Sequence, residues 1–303
     1  MSFSSDVKKE LCRIAVHKRC CAVAECYGVL LYANTFTADE LRIITANSEF
    51  AQRLPKLFSR AFGIKLIQEP GAKSGKQSFA VSAKADIRKI FKSFGSDSEG
   101  HLAHHINFVM LEDECCKVSF IRGAFLAGGS VIDPQKRYHL ELVTPRRSVS
   151  RGVHALLLEM DMNPKDSARN GSYIIYFKQS EAIEDFLTTM GAPISAMDIM
   201  SAKIEKDMRN SVNRRVNCDS ANADKIVQAS QEQLYAIRLI DKHMGLIELP
   251  EKLYEAALLR VANPEVSLAD LAMLSDPPVS KSCISHRMRK IMQAAKAYEH
   301  LEG

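Results

Sequence analysis

The side chains best able to hold a metal or act as nucleophiles are eight cysteines: Cys12, Cys20, Cys21, Cys26, Cys115, Cys116, Cys218 and Cys283. Zinc sites legible in a sequence place thiolates or imidazoles a few residues apart in matched pairs, so that four soft ligands converge on one tetrahedral ion. No CxxC pair occurs, and neither adjacent pair of cysteines has a CxxC or HxxxH downstream at zinc spacing. Cys20, Cys21 and Cys26 with His17 form one conceivable cluster, and His104 and His105 with Cys115 and Cys116 another. Free cysteine is among the most buried residue types. The sequence therefore favours small core residues in a reducing compartment, with the two histidines on an edge strand, HHINFVM, ahead of the acidic turn EDE. No catalytic residue, metal ligand or cofactor is assigned.

A second candidate is GAKSGK at 71–76, which has the look of a phosphate loop. It lacks the first glycine at the required distance, and Gln77 stands where a magnesium-binding Ser or Thr belongs. A basic hairpin loop is the better reading, with Lys73 and Lys76 available to a phosphate backbone.

The chain has 303 residues, 46% of them hydrophobic and 25% charged, which is the composition of a folded protein with a substantial core. No stretch is apolar for the roughly 18 residues that a membrane helix needs, and the N-terminus has no signal-peptide character. A cytoplasmic protein is expected, with no membrane partner. The net charge of +5 is unevenly spread: residues 1–100 carry 16 Lys/Arg against 10 Asp/Glu.

The elements follow an α+β order. A helix is expected over 5–19, another over 20–31, a strand within 36–44, a helix over 47–62, short strands at 64–67 and 78–82, and a helix over 85–94. After the polar break FGSDSEG the order recurs: a helix over 115–127, a strand at 138–144, a helix over 149–159, a strand at 172–178 and a helix over 180–190. This is an α+β pseudo-repeat. Helix formers then run from 197 to 215 and again from 223 to 244, and everything after Pro250 is helical.

In the tail, Ser267 caps a short helix with Asp270 at the capping-box position. Pro277-Pro278 breaks the chain, and a longer helix starts at Ser280. Ile284, Met288, Ile291 and Ala295 recur at helical spacing and form its buried stripe. From Val279 to Tyr298 there are five bases and no acid. A short helix, a turn and a longer basic helix match the helix-turn-helix, whose second helix lies in the major groove. Ser280, Lys281, Ser282, Ser285, His286 and Arg289 are the expected base readers, with Arg287 and Lys290 nearer the phosphate backbone.

Four motifs make the reading specific: MSFSSDVKKEL at the start, IRGAFLAGGSVIDPQKRYHLEL at 121–142, VNRRVNCDSANADK at 212–225 and VSKSCISHRMRK near the end. In these the chain resembles the WhiA family of bacterial regulators along essentially its whole length. The resemblance implies an N-terminal LAGLIDADG-like domain, pseudo-two-fold and built as αββαββα. An all-α helix-turn-helix domain similar to sigma-factor region 4 follows. The expected boundaries are 1–95 and 96–195 for the two halves, 196–222 for a linker, and 223–303 for the helical domain, with its helix-turn-helix at about 266–299. Relatives of this kind act in sporulation or cell division and in chromosome segregation, which implies double-stranded DNA as partner, a nucleoid location, and RNA polymerase, a sigma factor or another regulator as a further partner.

In a LAGLIDADG nuclease the last acid of the motif holds the divalent metal that activates water. Aligning CYGVLLYANTF with IRGAFLAGGSV places Ala33 and Gly128 at the two acid positions, so neither half offers the carboxylate. Asp133 is read as a turn residue, Glu25 as facing away from the helix seam, and Gly123, Ala124, Ala127 and Gly128 as permitting close helix contact. Arg122, Arg137, Arg146, Arg147 and Arg151 are read as mostly solvated, and Asn213, Arg214, Arg215 and Asn217 as either pinning the linker or touching DNA. The function expected is that of a non-enzymatic, sequence-specific DNA-binding transcriptional regulator. The alternatives are a protein-binding adaptor with incidental DNA affinity and, third, a residual metal-dependent endonuclease.

Overall fold

The computed structural model describes residues 2–69, 75–95 and 105–299. The chain divides into two compact units, Met1–Asp207 and Met208–Gly303.

The first unit is two copies of one motif. After an opening helix α1 (Phe3–Cys12), the first copy runs α2 (Arg19–Leu31), β1 (Thr35–Phe36), β2 (Leu41–Thr45), α3 (Ser48–Phe62), β3 (Ile67–Glu69), β4 (Gln77–Val81) and α4 (Lys84–Ser93). The second runs α5 (Glu114–Gly128), β5 (Gly129–Val131), β6 (Leu140–Thr144), α6 (Arg147–Glu159), β7 (Lys165–Arg169), β8 (Ser172–Phe177) and α7 (Ser180–Met190). Each copy forms an antiparallel four-stranded sheet of the same topology, β1-β2-β4-β3 and β5-β6-β8-β7. The registers are set by pairs such as Ile43 with Phe79 and Leu142 with Ile175. This is the pseudo-two-fold αββαββα arrangement that the family resemblance implies.

The two copies meet through α2 and α5, which pack backbone to backbone. A Cβ on Gly28 would lie 2.0 Å from the carbonyl oxygen of Phe120, and one on Gly123 would lie 2.1 Å from that of Glu25. Gly28 and Glu25 stand in the first motif where Gly123 and Phe120 stand in the second, so the two clashes are one contact related by the pseudo-dyad. Only glycine allows helices to come this near. Around the seam sits the apolar core, including Leu30, Phe58, Phe120, Phe125 and Phe186, all fully buried.

Charge is buried in this core too, which corrects two readings. Glu25 does not face away from the seam: its carboxylate is wholly buried and takes hydrogen bonds of 2.6 and 2.8 Å from Nε and Nη2 of Arg53 on α3. Arg122 on α5 is buried rather than solvated, with Nη1 3.6 Å from the same carboxylate and Nε donating to the Met190 carbonyl at 2.9 Å. Arg53 also donates to the carbonyls of Cys12 and Ile14, at 3.0 and 2.6 Å. One carboxylate and two guanidiniums thus tie α2, α3, α5 and the ends of α1 and α7 together.

Other differences from the sequence reading have local causes. The opening helix stops at Cys12, because residues 13–18 form the irregular turn that Arg53 holds. HHINFVM is not a strand: His104 lies outside the described residues, and Phe108–Leu111 is a 3-10 turn started by Asn107, whose side chain accepts from the Val109 amide at 3.2 Å. Strands β5 and β7 escaped notice because one is a three-residue GSV and the other, KDSAR, is exposed at every position and shows no apolar alternation. Most of GAKSGK (71–74) lies outside the described residues, and Lys76 is exposed.

Helix α8 (Pro193–His243) is continuous through the stretch read as a linker. Its first turn is capped from α1, where Glu10 accepts hydrogen bonds from the amides of Ile194 and Ser195 and from the Ser195 hydroxyl, at 2.8, 2.9 and 2.6 Å. Residues 207–228 are exposed on every side, Asn213, Arg214, Arg215 and Asn217 among them. The second unit then packs the end of α8 with α9 (Glu251–Ala262), α10 (Leu268–Met273) and α11 (Lys281–Glu299) around Ile237, Ile240, Leu271, Ile284, Met288 and Ile291.

Gly123→Ala tests the seam. The atoms a methyl would meet, the Glu25 carbonyl and the Val29 amide nitrogen, are backbone, so no side-chain rotation relieves them, and overpacking is expected to cost about 3 kcal/mol in urea denaturation. Wild-type stability in that variant would show that the helices do not approach as described.

Candidate nucleic-acid interface

The last three helices are built around a buried cation. Arg260 on α9 is fully enclosed; its Nε donates to Gln233 Oε1 at 2.9 Å and its Nη1 to the carbonyls of Asn263 and Val266 at 3.2 and 2.6 Å. Burial against neutral acceptors lowers its affinity for a proton relative to a free guanidinium. These bonds fix the turn between α9 and α10. Ser267 then caps α10: its oxygen accepts from the Asp270 amide at 3.3 Å while its hydroxyl donates to the Asp270 carboxylate at 2.6 Å. The connection to α11 is tied back by a 3.0 Å bond from the Val279 amide to the Ala272 carbonyl.

Ile284, Met288, Ile291 and Ala295 face the core. The opposite side of α11 leaves Lys281, Ser282, His286, Arg289 and Lys290 exposed. Ser285 is half-buried, and so is Arg287, which turns toward a groove also lined by Glu251, Glu255 and Asp276. Ser280 is the helix cap: its oxygen accepts from the Cys283 amide at 3.2 Å. Among the described residues, no ion pair involves Lys281, Arg289 or Lys290.

The open faces of the two sheets have a different electrostatic character. Arg42 is paired with Glu40 at 2.7 Å and lies 3.5 Å from Glu69. On the other sheet, Glu141 lies 3.1 Å from both His139 and the Ser130 hydroxyl. The exposed side of α11 therefore carries cations that no carboxylate neutralises among the described residues.

At the C-terminal ends of α2 and α5 the structure shows what replaces the nuclease acids. Ala33 is buried. A side chain on Gly128 would collide with the Tyr32 ring at 2.3 Å and the Val143 carbonyl at 2.8 Å. Cations hold the two helix ends instead. Arg146 Nη1 donates to the carbonyls of Leu31 and Ala33 at 2.9 and 3.3 Å, and Lys8 Nζ donates to that of Leu126 at 3.0 Å. Leu31 and Leu126 are pseudo-dyad mates. Helix C-termini expose carbonyls and carry partial negative charge, so both cations are well placed, though burial brings the Lys8 amine down to about 8. Arg146 is thus a half-buried cap rather than a solvated residue, while Arg137, Arg147 and Arg151 are exposed. Asp133 is a turn residue: its carboxylate accepts from the Gln135 amide at 2.9 Å.

The cysteines are arranged in a way the sequence reading missed. Cys26 is buried in the core, but Cys20, Cys21, Cys115 and Cys116 have their sulfurs within 4.8 Å of one another. The available signal was that both adjacent pairs fall at equivalent positions, each the same number of residues ahead of the seam glycine of its helix.

Two αββαββα copies joined through small-residue helices, followed by a helix-turn-helix, define a two-part protein that pairs a LAGLIDADG-like domain with a helix-turn-helix domain. The family models bear this out: the WhiA LAGLIDADG-like domain matches residues 117–209 and the WhiA C-terminal HTH domain matches residues 212–295. A probable cell division protein WhiA from Ruminiclostridium cellulolyticum is 38% identical over 305 residues, covering 98% of this chain and 97% of its own. One from Macrococcus caseolyticus is 36% identical over 314 residues, covering 100% and 99%. The chain belongs to the WhiA family. The crystal structure of full-length DUF199/WhiA from Thermotoga maritima has the same fold, with a TM-score of 0.58 at 24% identity over 98% of this chain and 99% of that one. No helix among the described residues is long and apolar enough to cross a membrane.

Removing the Arg260 side chain takes the donor from the buried Gln233 and from two part-buried carbonyls. Arg260→Ala is expected to destabilise the protein by about 2–4 kcal/mol. Its signature is loss of amide-exchange protection in α9–α11, with the first unit unchanged.

Proposed function

We propose that this protein is a sequence-specific double-stranded-DNA-binding transcriptional regulator, acting on the nucleoid in the cytoplasm in cell division, chromosome segregation or sporulation, and that it has no nuclease activity. The observation that carries the reading is the exposed side of α11, where Lys281, His286, Arg289 and Lys290 present donors with no carboxylate paired to them among the described residues. An unneutralised basic face on the second helix of a helix-turn-helix is what a phosphate-lined major groove attracts. Lys281, Ser282, Ser285, His286 and Arg289 face base edges, and Arg287 and Lys290 reach toward phosphate. Ser280 contributes chiefly by fixing the start of α11. Bidentate pairing of Arg289 with guanine O6 and N7 is the strongest single readout contact available.

The first unit serves as a second DNA contact or as a docking platform for a protein partner: on its sheets Arg42 and His139 already sit against Glu40 and Glu141, while Lys165 and Arg169 of β7 stay exposed. Cleavage is disfavoured because a metal centre needs carboxylates where this chain has Ala33 and Gly128, beside the cations Arg146 and Lys8.

Two measurements test this. Capture of fragmented host genomic DNA at roughly 150 mM salt, where non-specific binding is weak, should recover a few fragments sharing a short motif; uniform recovery would refute sequence reading. On the recovered motif, Arg289→Ala should weaken binding by about 1–3 kcal/mol and relax preference at one base pair. Unchanged affinity would remove Arg289 from the readout.

A further inference from the structure

The four sulfurs of Cys20, Cys21, Cys115 and Cys116 come from two chain segments that nothing but the α2–α5 seam brings together. They lie within 4.8 Å of one another. A tetrahedral zinc with bonds of about 2.3 Å holds its sulfurs about 3.8 Å apart, so small rotations of the side chains close this cluster onto one ion. A binuclear iron–sulfur cluster divides its cysteines between two irons and needs the pairs further apart. Four thiols and no oxygen or imidazole among the grouped residues also select a soft ion.

The helices supply what thiolates require. Each pair occupies the first turn of its helix, Cys20-Cys21 in α2 and Cys115-Cys116 in α5. Neither helix has a side-chain cap at its N-terminus, so the positive ends of both dipoles face the sulfurs. Each thiolate–metal bond releases a proton, so the positive helix ends and the ion favour the same deprotonated sulfurs. Cys20 is exposed and Cys116 buried, which leaves the ion one open approach.

We propose that Cys20, Cys21, Cys115 and Cys116 form a four-thiolate site for one zinc ion on the pseudo-dyad of the first unit. Binding would release the thiol protons and leave a zinc tetrathiolate of net charge −2, balanced by the two helix N-termini. The ion staples the first motif to the second at the end of the α2–α5 pair opposite Ala33 and Gly128. At about 1.5 Å per residue, Cys20 and Ala33 are roughly 20 Å apart, so the site owes nothing to nuclease chemistry. Its role is structural.

The test uses the full-length chain purified under a thiol reductant without chelators. Elemental analysis should find about one zinc per chain, lost in the Cys20→Ser/Cys116→Ser double variant and kept in Cys218→Ser, which changes an exposed cysteine of α8. Those variants could fold poorly, so the wild-type chain is also exchanged with cobalt(II). A sulfur-to-cobalt charge-transfer band and intense visible absorption, saturating at about one ion per chain, mark a tetrahedral thiolate site. Absence of both zinc and the cobalt band, with all four thiols still titrating as reduced, overturns the site. A disulfide among the four in freshly purified protein overturns it as well, and iron in place of zinc overturns the choice of ion.

Discussion

The contact on which the first unit depends is the approach of α2 to α5 through Gly28 and Gly123, where carbonyl oxygens occupy the space a methyl group would need. Helices this close leave no room for side chains between them, so everything else that joins the two motifs lies around that seam. Glu25 reaches across to Arg122 and sideways to Arg53 from the turn that precedes Gly28. A buried carboxylate with two guanidiniums is costly to assemble and very costly to break. It is therefore a device for specifying one pairing of the motifs rather than a source of net stability.

The sequence made the architecture legible because pseudo-symmetry leaves repeated marks: the same helix and strand order twice, and small residues at matching points in CYGVLLYANTF and IRGAFLAGGSV. The basic face of α11 was equally legible, since a twenty-residue span without an acid is unusual next to a regular apolar stripe. Three things were hidden. Strand β7 has no buried side to alternate with an exposed one. Arg122 and Arg146 look like surface residues until their acceptors, a backbone carbonyl on α7 and two at and just past the end of α2, are known. The cysteine cluster was hidden because its halves lie far apart in sequence, and spacing rules for zinc are written for ligands from one segment or two neighbouring ones.

The α2–α5 pair has two chemically different ends. At the N-terminal end, four sulfurs gather under the positive poles of the helices. At the C-terminal end, where exposed carbonyls carry the negative poles, Lys8 and Arg146 cap one helix each. Both ends obey the same electrostatic rule, and neither resembles the acid pair of a nuclease. The second unit repeats the economy on a smaller scale, with the single guanidinium of Arg260 fixing the turn between α9 and α10.

The caps on Leu31 and Leu126 also bear on how such a scaffold can change over generations. Putting an acid back at position 128 would require Tyr32 to vacate its place, and that acid, like one at position 33, would stand near a lysine or arginine already bound to the helix end. The new carboxylate would be neutralised by its neighbour before any metal could use it. Each single step toward a cleaving centre thus disrupts packing or a cap while returning no activity. The packing and the caps at these two helix ends act in this sense as a ratchet against a metal-holding acid pair.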